Sequence, residues 1–208
     1  MPFFDSDRGR LHYRRWPRNN PIATLALLPG TGQHSGHYHR FAAALGTAGV
    51  ELYTLDTAGQ GLSAGDPAAP GTLPELAADA AGLLAVVSAE ATGPVFLMGH
   101  SLGAATALAL PAEDTEGLAG LVVCGTPPRV AHGTLARPLP VLAVHGVDDR
   151  RAAIDPVRRW FAHLPSVTWR EYADAGHDLL HEPVSRQVCD DIAAWITDIT
   201  ARAGAPAP

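Results

Sequence analysis

Apolar and polar positions change rhythm several times along the chain. Residues 10–16, RLHYRRW, alternate with the period of a strand covered on one face and predict an antiparallel edge strand. The next run, IATLALLPG (22–30), is apolar almost throughout, as in a strand buried on both faces. From there helical spacing and strand-like runs take turns. HYHRFAAALGTAG (37–49) predicts a helix closed by glycine, and VELYTLD (50–56) a strand. Leu73, Leu76, Ala80, Leu83, Leu84 and Val87 mark a helix with Pro74 near its start and Gly93-Pro94 at its stop. PVFLMG (94–99), LAGLVVCG (118–125), PVLAVHG (140–146) and VTWREYA (167–173) supply the remaining strands, with helices from about Ser101, near 155–164 and over 184–202. Such alternation implies right-handed crossovers and a mostly parallel α/β sheet with helices on both faces. Ligands bind such sheets beyond the carboxyl ends of the strands, so the chemistry is expected in the loops that follow them.

The chain has 208 residues, enough for a single domain over 1–202, with AGAPAP from Ala203 expected as a disordered tail. Its net charge is −6 and its basic residues are scattered, which gives no footprint for nucleic acid. All 15 basic residues are arginine. Without lysine, a Schiff base and the lysine of a phosphate-binding Walker loop are both excluded. Cys124 and Cys189 lack the paired spacing of a zinc site and read as reduced structural thiols, a disulfide being the lesser alternative. No apolar run is long enough for a membrane span or a secretion signal, which predicts a cytoplasmic chain.

Gly99-His100-Ser101-Leu102-Gly103 lies between a buried strand and an alanine-rich helix, the strand–turn–helix context in which G-x-S-x-G carries meaning. A sharp turn there lifts the hydroxyl above the sheet, and the helix N-terminus behind it favours developing negative charge. A serine needs a base, and the base an orienting acid. His177 follows the last strand and Asp149 the strand before it, giving the order Ser101, Asp149, His177 expected of this arrangement. Asp148 and Asp155 compete for the acid, and His181 for the base. His177 and His181 also have the i, i+4 spacing of a zinc-binding helix, although Gly176 and Pro183 leave little room for one.

These features resemble the α/β-hydrolase superfamily, and within it the monoacylglycerol lipase and lysophospholipase branch. The motifs shared are PGTGQHSGHY (29–38), LDTAGQGLSAG (55–65), GHSLG (99–103), HGVDD (145–149) and AGHDLLHEP (175–183), spread over most of the chain in family order. The resemblance implies an α/β-hydrolase fold, a small acyl substrate, and neither cofactor nor metal. It also implies an oxyanion hole formed by the backbone N–H groups of Thr31 and Leu102. Pro29 and Gln60 stand where the family usually has histidine.

The resemblance also bears on the glycine-rich loop after the second strand. Gly30, Gly32 and Gly36 are one residue too wide for the dinucleotide fingerprint, although Asp56 ends the next strand at about the right distance. The hydrolase reading instead makes this loop the rim of the site and Asp56 part of a structural turn. The family's helical lid is missing, because residues 126–139 hold three prolines and no helical period. Its loss predicts an open cleft without a cap domain. Three functions remain in play: ester, thioester or lactone hydrolysis through an acyl-enzyme on Ser101; acyl transfer or cyclisation from the same intermediate; and a hydrolase-like fold that binds without turnover.

Overall fold

The computed structural model describes residues 1–203. In chain order its strands are β1 (Phe3–Ser6), β2 (Gly9–Trp16), β3 (Ala23–Leu28), β4 (Val50–Leu55), β5 (Val95–His100), β6 (Leu118–Cys124), β7 (Val141–Gly146) and β8 (Val167–Tyr172). They form one sheet in the order β1-β2-β4-β3-β5-β6-β7-β8. The β1–β2 and β2–β4 pairs are antiparallel and the other five are parallel. The helices are α1 (His39–Thr47), α2 (Leu73–Glu90), α3 (Leu102–Ala109), α4 (Ile154–Phe161) and α5 (Ser185–Ala203).

Alternate side chains of the central strands feed two separate cores. On β3, β5 and β7, Ala26, Leu28, Leu97, Val141 and Ala143 face α2, α3 and α4. Their neighbours Leu25, Leu27, Phe96, Met98, Leu142 and Val144 face α1 and α5. This two-sided burial explains why these strands read as continuous apolar runs. The α2 helix begins with a capping box in which Thr72 and Glu75 bond each other's backbone, and Pro74 sits in its first turn.

Three local expectations need correction. The segment over 10–16 is not an edge strand, because β1 pairs outside it. β1 is four residues long and has no usable period. It is held by tertiary contacts: buried Asp79 on α2 accepts the Ser6 hydroxyl at 2.6 Å and lies 3.3 Å from Arg8. The helix expected over 37–49 starts with a 3₁₀ turn, Ser35–Tyr38, and its α-helical part covers only His39–Thr47. Finally, α5 continues through Ala203, one residue past the expected domain limit. The rest of the expected tail, 204–208, lies outside the described residues.

Residues 126–139 hold only a 3₁₀ turn, Pro128–Val130, so β6 is tied to β7 without a cap. Among the described residues no helix is long and apolar enough to cross a membrane. Cys124 and Cys189 are both buried and unbonded to each other.

The sheet order places a switch point between β3 and β5: the chain leaves β3 for β4 on one side and returns to β5 on the other. A crevice opens at the carboxyl ends of such neighbours. Leu97 on β5 is fully buried between β3 and β6. Leu97→Ala is expected to cost about 2–5 kcal/mol, seen as a lower urea midpoint at unchanged slope.

Candidate active site

Ser101 ends β5 and begins α3 with φ 53° and ψ −110°, in the left-handed half of backbone space that a residue with a side chain rarely occupies. Such a conformation costs about 1–3 kcal/mol and persists only where the surroundings impose it. Here the Ser101 N–H donates to the Cys124 carbonyl at 2.9 Å, and its own carbonyl accepts from Ala105 at 3.0 Å. Gly103 lets α3 pack directly on β3, since a Cβ there would strike the Leu28 carbonyl. The glycine of the serine motif is thus required by close approach, and the turn it permits lifts the Ser101 side chain into the crevice.

The loops after β7 and β8 complete a chain of hydrogen bonds. The Ser101 hydroxyl donates to His177 Nε2 at 2.8 Å, and His177 Nδ1–H donates to Asp149 Oδ2 at 2.7 Å. Asp149 Oδ1 accepts the Arg151 and Ala152 N–H groups, each at 2.8 Å. Fully buried His145 has its Nε2 2.8 Å from the Ala152 carbonyl and 3.3 Å from Asp149 Oδ2. Burial alone would raise the Asp149 pKa, but the bonds from His145, His177 and Ala152 outweigh it and hold the carboxyl well below the usual range.

The rival residues face elsewhere. Asp148 is exposed at the mouth of the crevice, and Asp155 pairs with Arg158 on the surface at 2.6 Å. His181 contacts Asp178 at 2.8 Å and the His37 carbonyl at 3.1 Å. The His177 and His181 rings thus meet different partners, and among the described residues no three His, Cys, Asp or Glu side chains converge. Asp56, the acid of the dinucleotide alternative, is 1% exposed. It accepts from the Ser35 and Leu62 amides at 2.6 and 2.9 Å and contacts His12 at 2.9 Å, so it cannot reach a ribose.

Several residues of the site went unread in the sequence, and Gln33 is the foremost. Its Oε1 accepts the Gly30 N–H at 3.1 Å and the Tyr38 hydroxyl at 2.6 Å, and lies 2.9 Å from His100 Nδ1. Its Nε2 donates to Asp178 at 3.1 Å. His100 Nε2 in turn lies 2.9 Å from the His177 carbonyl. Nothing in the local pattern around Gln33 marks this role, because Asp178 lies 145 residues away along the chain. The one available signal was its place in the glycine loop.

Thr31 and Gln33 line the same cleft as Ser101 and His177, and its volume is about 540 Å³. Leu102 directly follows Ser101 at the start of α3. Among the described residues neither the Thr31 nor the Leu102 N–H meets a protein acceptor.

Sheet order, crossovers and the serine turn define an α/β hydrolase without a cap domain. Residues 19–139 match the family described as serine aminopeptidase, S33 (Hydrolase_4), and the chain belongs to that family. The monoacylglycerol lipase of Mycolicibacterium smegmatis is 26% identical over 264 aligned residues, covering 90% of this chain and 92% of that one. That alignment is longer than the present chain, so the relative carries residues with no counterpart here. Human monoglyceride lipase is 31% identical over 121 residues, 57% of this chain and 40% of the relative. The crystal structure of Paleococcus ferrophilus monoacylglycerol lipase superposes with a TM-score of 0.78 at 18% identity, covering 91% of this chain and 99% of that one.

The Asp178–His181 pair makes stability depend on pH. Burial raises the Asp178 pKa, but the His181 hydrogen bond and charge overcome this and bring it down from 3.8 to about 2. The hydrogen bond to Asp178 raises His181 above its ordinary 6.5. The depressed acid contributes above about pH 4 and loses its contribution as pH falls toward 2; the raised base contributes below about 6.5 and loses it as pH climbs past its folded value. The Asp178 side chain is 43% exposed, so screening leaves the pair about 1 kcal/mol or less. The difference in urea midpoint between wild type and Asp178→Asn is expected to be largest between those limits and to shrink toward pH 2 and pH 9.

Proposed function

We propose that the protein is a serine hydrolase that cleaves a carboxylic ester, or a thioester or lactone, of a small or medium substrate through an acyl-enzyme on Ser101. The observation that carries this reading is the unbroken chain from the Ser101 hydroxyl through His177 to Asp149, beneath an open cleft. Similarity to proteins named monoacylglycerol lipase supports ester chemistry.

In this mechanism Ser101 Oγ attacks the ester carbonyl while His177 Nε2 takes its proton. The Asp149 carboxylate accepts from Nδ1–H, which keeps Nε2 free as the base and stabilises the imidazolium that forms. The negative charge on the carbonyl oxygen develops between the Thr31 and Leu102 amides. A pair of preorganised donors lowers the barrier by several kcal/mol because they need no reorientation as charge appears. His177 then protonates the departing alcohol. Water enters the open cleft, gives a proton to His177 and resolves the acyl-enzyme.

A fluorophosphonate probe is expected to add one adduct to the intact mass of wild type and none to Ser101→Ala. Asp149→Asn places an amide donor against His177 Nδ1 and forces the wrong tautomer, so kcat for an activated ester should fall about 10⁴-fold with the fold intact. Asp148→Asn should lose far less. A Ser101→Ala protein that keeps full esterase activity overturns the mechanism.

A further inference from the structure

The cleft over Ser101 is lined mainly by polar side chains. Apart from glycines, Pro127 and Ala152 are its only apolar lining residues among the described residues. An acyl chain gains affinity only where apolar surface receives its methylenes, and a proline ring and one methyl group receive few.

The same wall carries three arginines: Arg129 in the β6–β7 link, and Arg150 and Arg151 in the loop after β7. All three are exposed, and among the described residues none of their guanidinium groups has an ion-pair or hydrogen-bond partner. Elsewhere Arg8, Arg15, Arg158, Arg186 and Arg202 are paired with carboxylates, so what sets Arg129, Arg150 and Arg151 apart from the other unpaired arginines is their common place on the cleft. Three acidic side chains also line the cleft, but two are engaged. Asp178 bonds Gln33 and His181, while Glu182 accepts the Gly176 and Asp178 amides. Only Asp148 offers an unengaged carboxylate against the three guanidinium groups. Formal charge along the cleft is balanced, but Asp178 and Glu182 are tied to the protein's own donors, whereas the three guanidinium groups keep their donors free for a ligand.

The arginine-bearing loop is also anchored to the reacting centre. The carboxylate that meets His177 accepts the Arg151 and Ala152 amides. The Arg151 backbone, with Arg150 next to it, is therefore anchored beside the histidine, and the unpartnered side chains start from there toward a group on the substrate. Guanidinium forks suit planar or tetrahedral oxyanions and stay charged at every working pH.

We infer that the substrate of this site carries, besides its ester, an anionic group, a carboxylate or a phosphate, which Arg129, Arg150 and Arg151 hold while Ser101 meets the ester carbonyl. This rests on the hydrolase reading above and adds a substrate class to it.

Matched ester pairs test it: monoethyl succinate against diethyl succinate, and acetylglycerol 3-phosphate against acetylglycerol. The readout is the ratio of kcat/KM, charged over neutral, at about 0.01 M and about 1 M salt, where the Debye length falls from about 30 to about 3 Å. Wild type is expected to favour one charged member about tenfold at low salt, the scale of two or three exposed charge pairs, and to lose most of that preference at high salt. The pair that shows it identifies the anion. The ratio should drop toward one in a protein carrying Arg129→Gln, Arg150→Gln and Arg151→Gln, and below one when all three become glutamate. Wild-type ratios at or below one for both pairs at low salt overturn the inference and leave the Ser101 chemistry standing. Calorimetric binding of the same four compounds to Ser101→Ala separates the two readings. Salt-sensitive preference for an anion there, without turnover or probe labelling of wild type, upholds the anion site and overturns the hydrolase mechanism.

Discussion

The carboxamide oxygen of Gln33 is the point at which the separate loops of the site are held in register. It sits in the loop after β3 and takes hydrogen bonds from the Gly30 amide and the Tyr38 hydroxyl. It also meets the ring of His100, the residue before Ser101. Through its amide nitrogen it reaches Asp178, the residue after His177. One side chain thus connects the loop of the proposed oxyanion amide to the neighbours of the proposed nucleophile and base. Gly30 makes the approach possible, because a Cβ there would come within 3.0 Å of both Gln33 Oε1 and His100 Nδ1. Removing the carboxamide would leave several buried groups without partners, and that loss is larger than the value of any one bond.

The strain at Ser101 is supported by the same surroundings. Its positive φ is imposed from below by the Cys124 carbonyl and from the side by the packing of α3 on β3. Both are backbone contacts in the centre of the sheet, between the two cores. Stability from the two cores is therefore spent on holding one hydroxyl in a conformation it would not choose. The acid is treated in the same way. Asp149 is stripped of water but supplied with two amides and two histidines, so it remains a carboxylate where burial alone would favour its protonation.

How much of this was legible in the sequence depends on whether the signal is local. The strand–turn–helix around Ser101 was legible because a buried strand, two glycines and an alanine-rich helix lie within one short stretch. The order of Ser101, Asp149 and His177 was legible because crossover topology places each after a strand. Asp149 was preferred from sequence with adjacent Asp148 kept as a rival, since only the turn decides which carboxylate points inward. In the structure Asp149 N–H bonds the Gly146 carbonyl and its side chain caps the next two amides but one, while Asp148 faces out. Gln33 and Asp178 were missed because they meet across different strand ends, and His145 because only the turn after β7 folds Asp149 and Ala152 back onto it. β1 was missed for the same reason, as its support lies on α2.

The missing cap and the polar wall have a common physical consequence. In a capped hydrolase the lid can supply both water exclusion and apolar surface for a chain. Here the 126–139 link supplies neither, and what it places at the cleft instead is Pro127 and Arg129. An open site loses the strengthening of electrostatics that dehydration brings. Recognition must then come from groups that stay charged and act at short range in water, and exposed arginines have that property at the cost of salt sensitivity. Shortening the β6–β7 connection thus changes more than access. It shifts the means of substrate selection from apolar burial to charge.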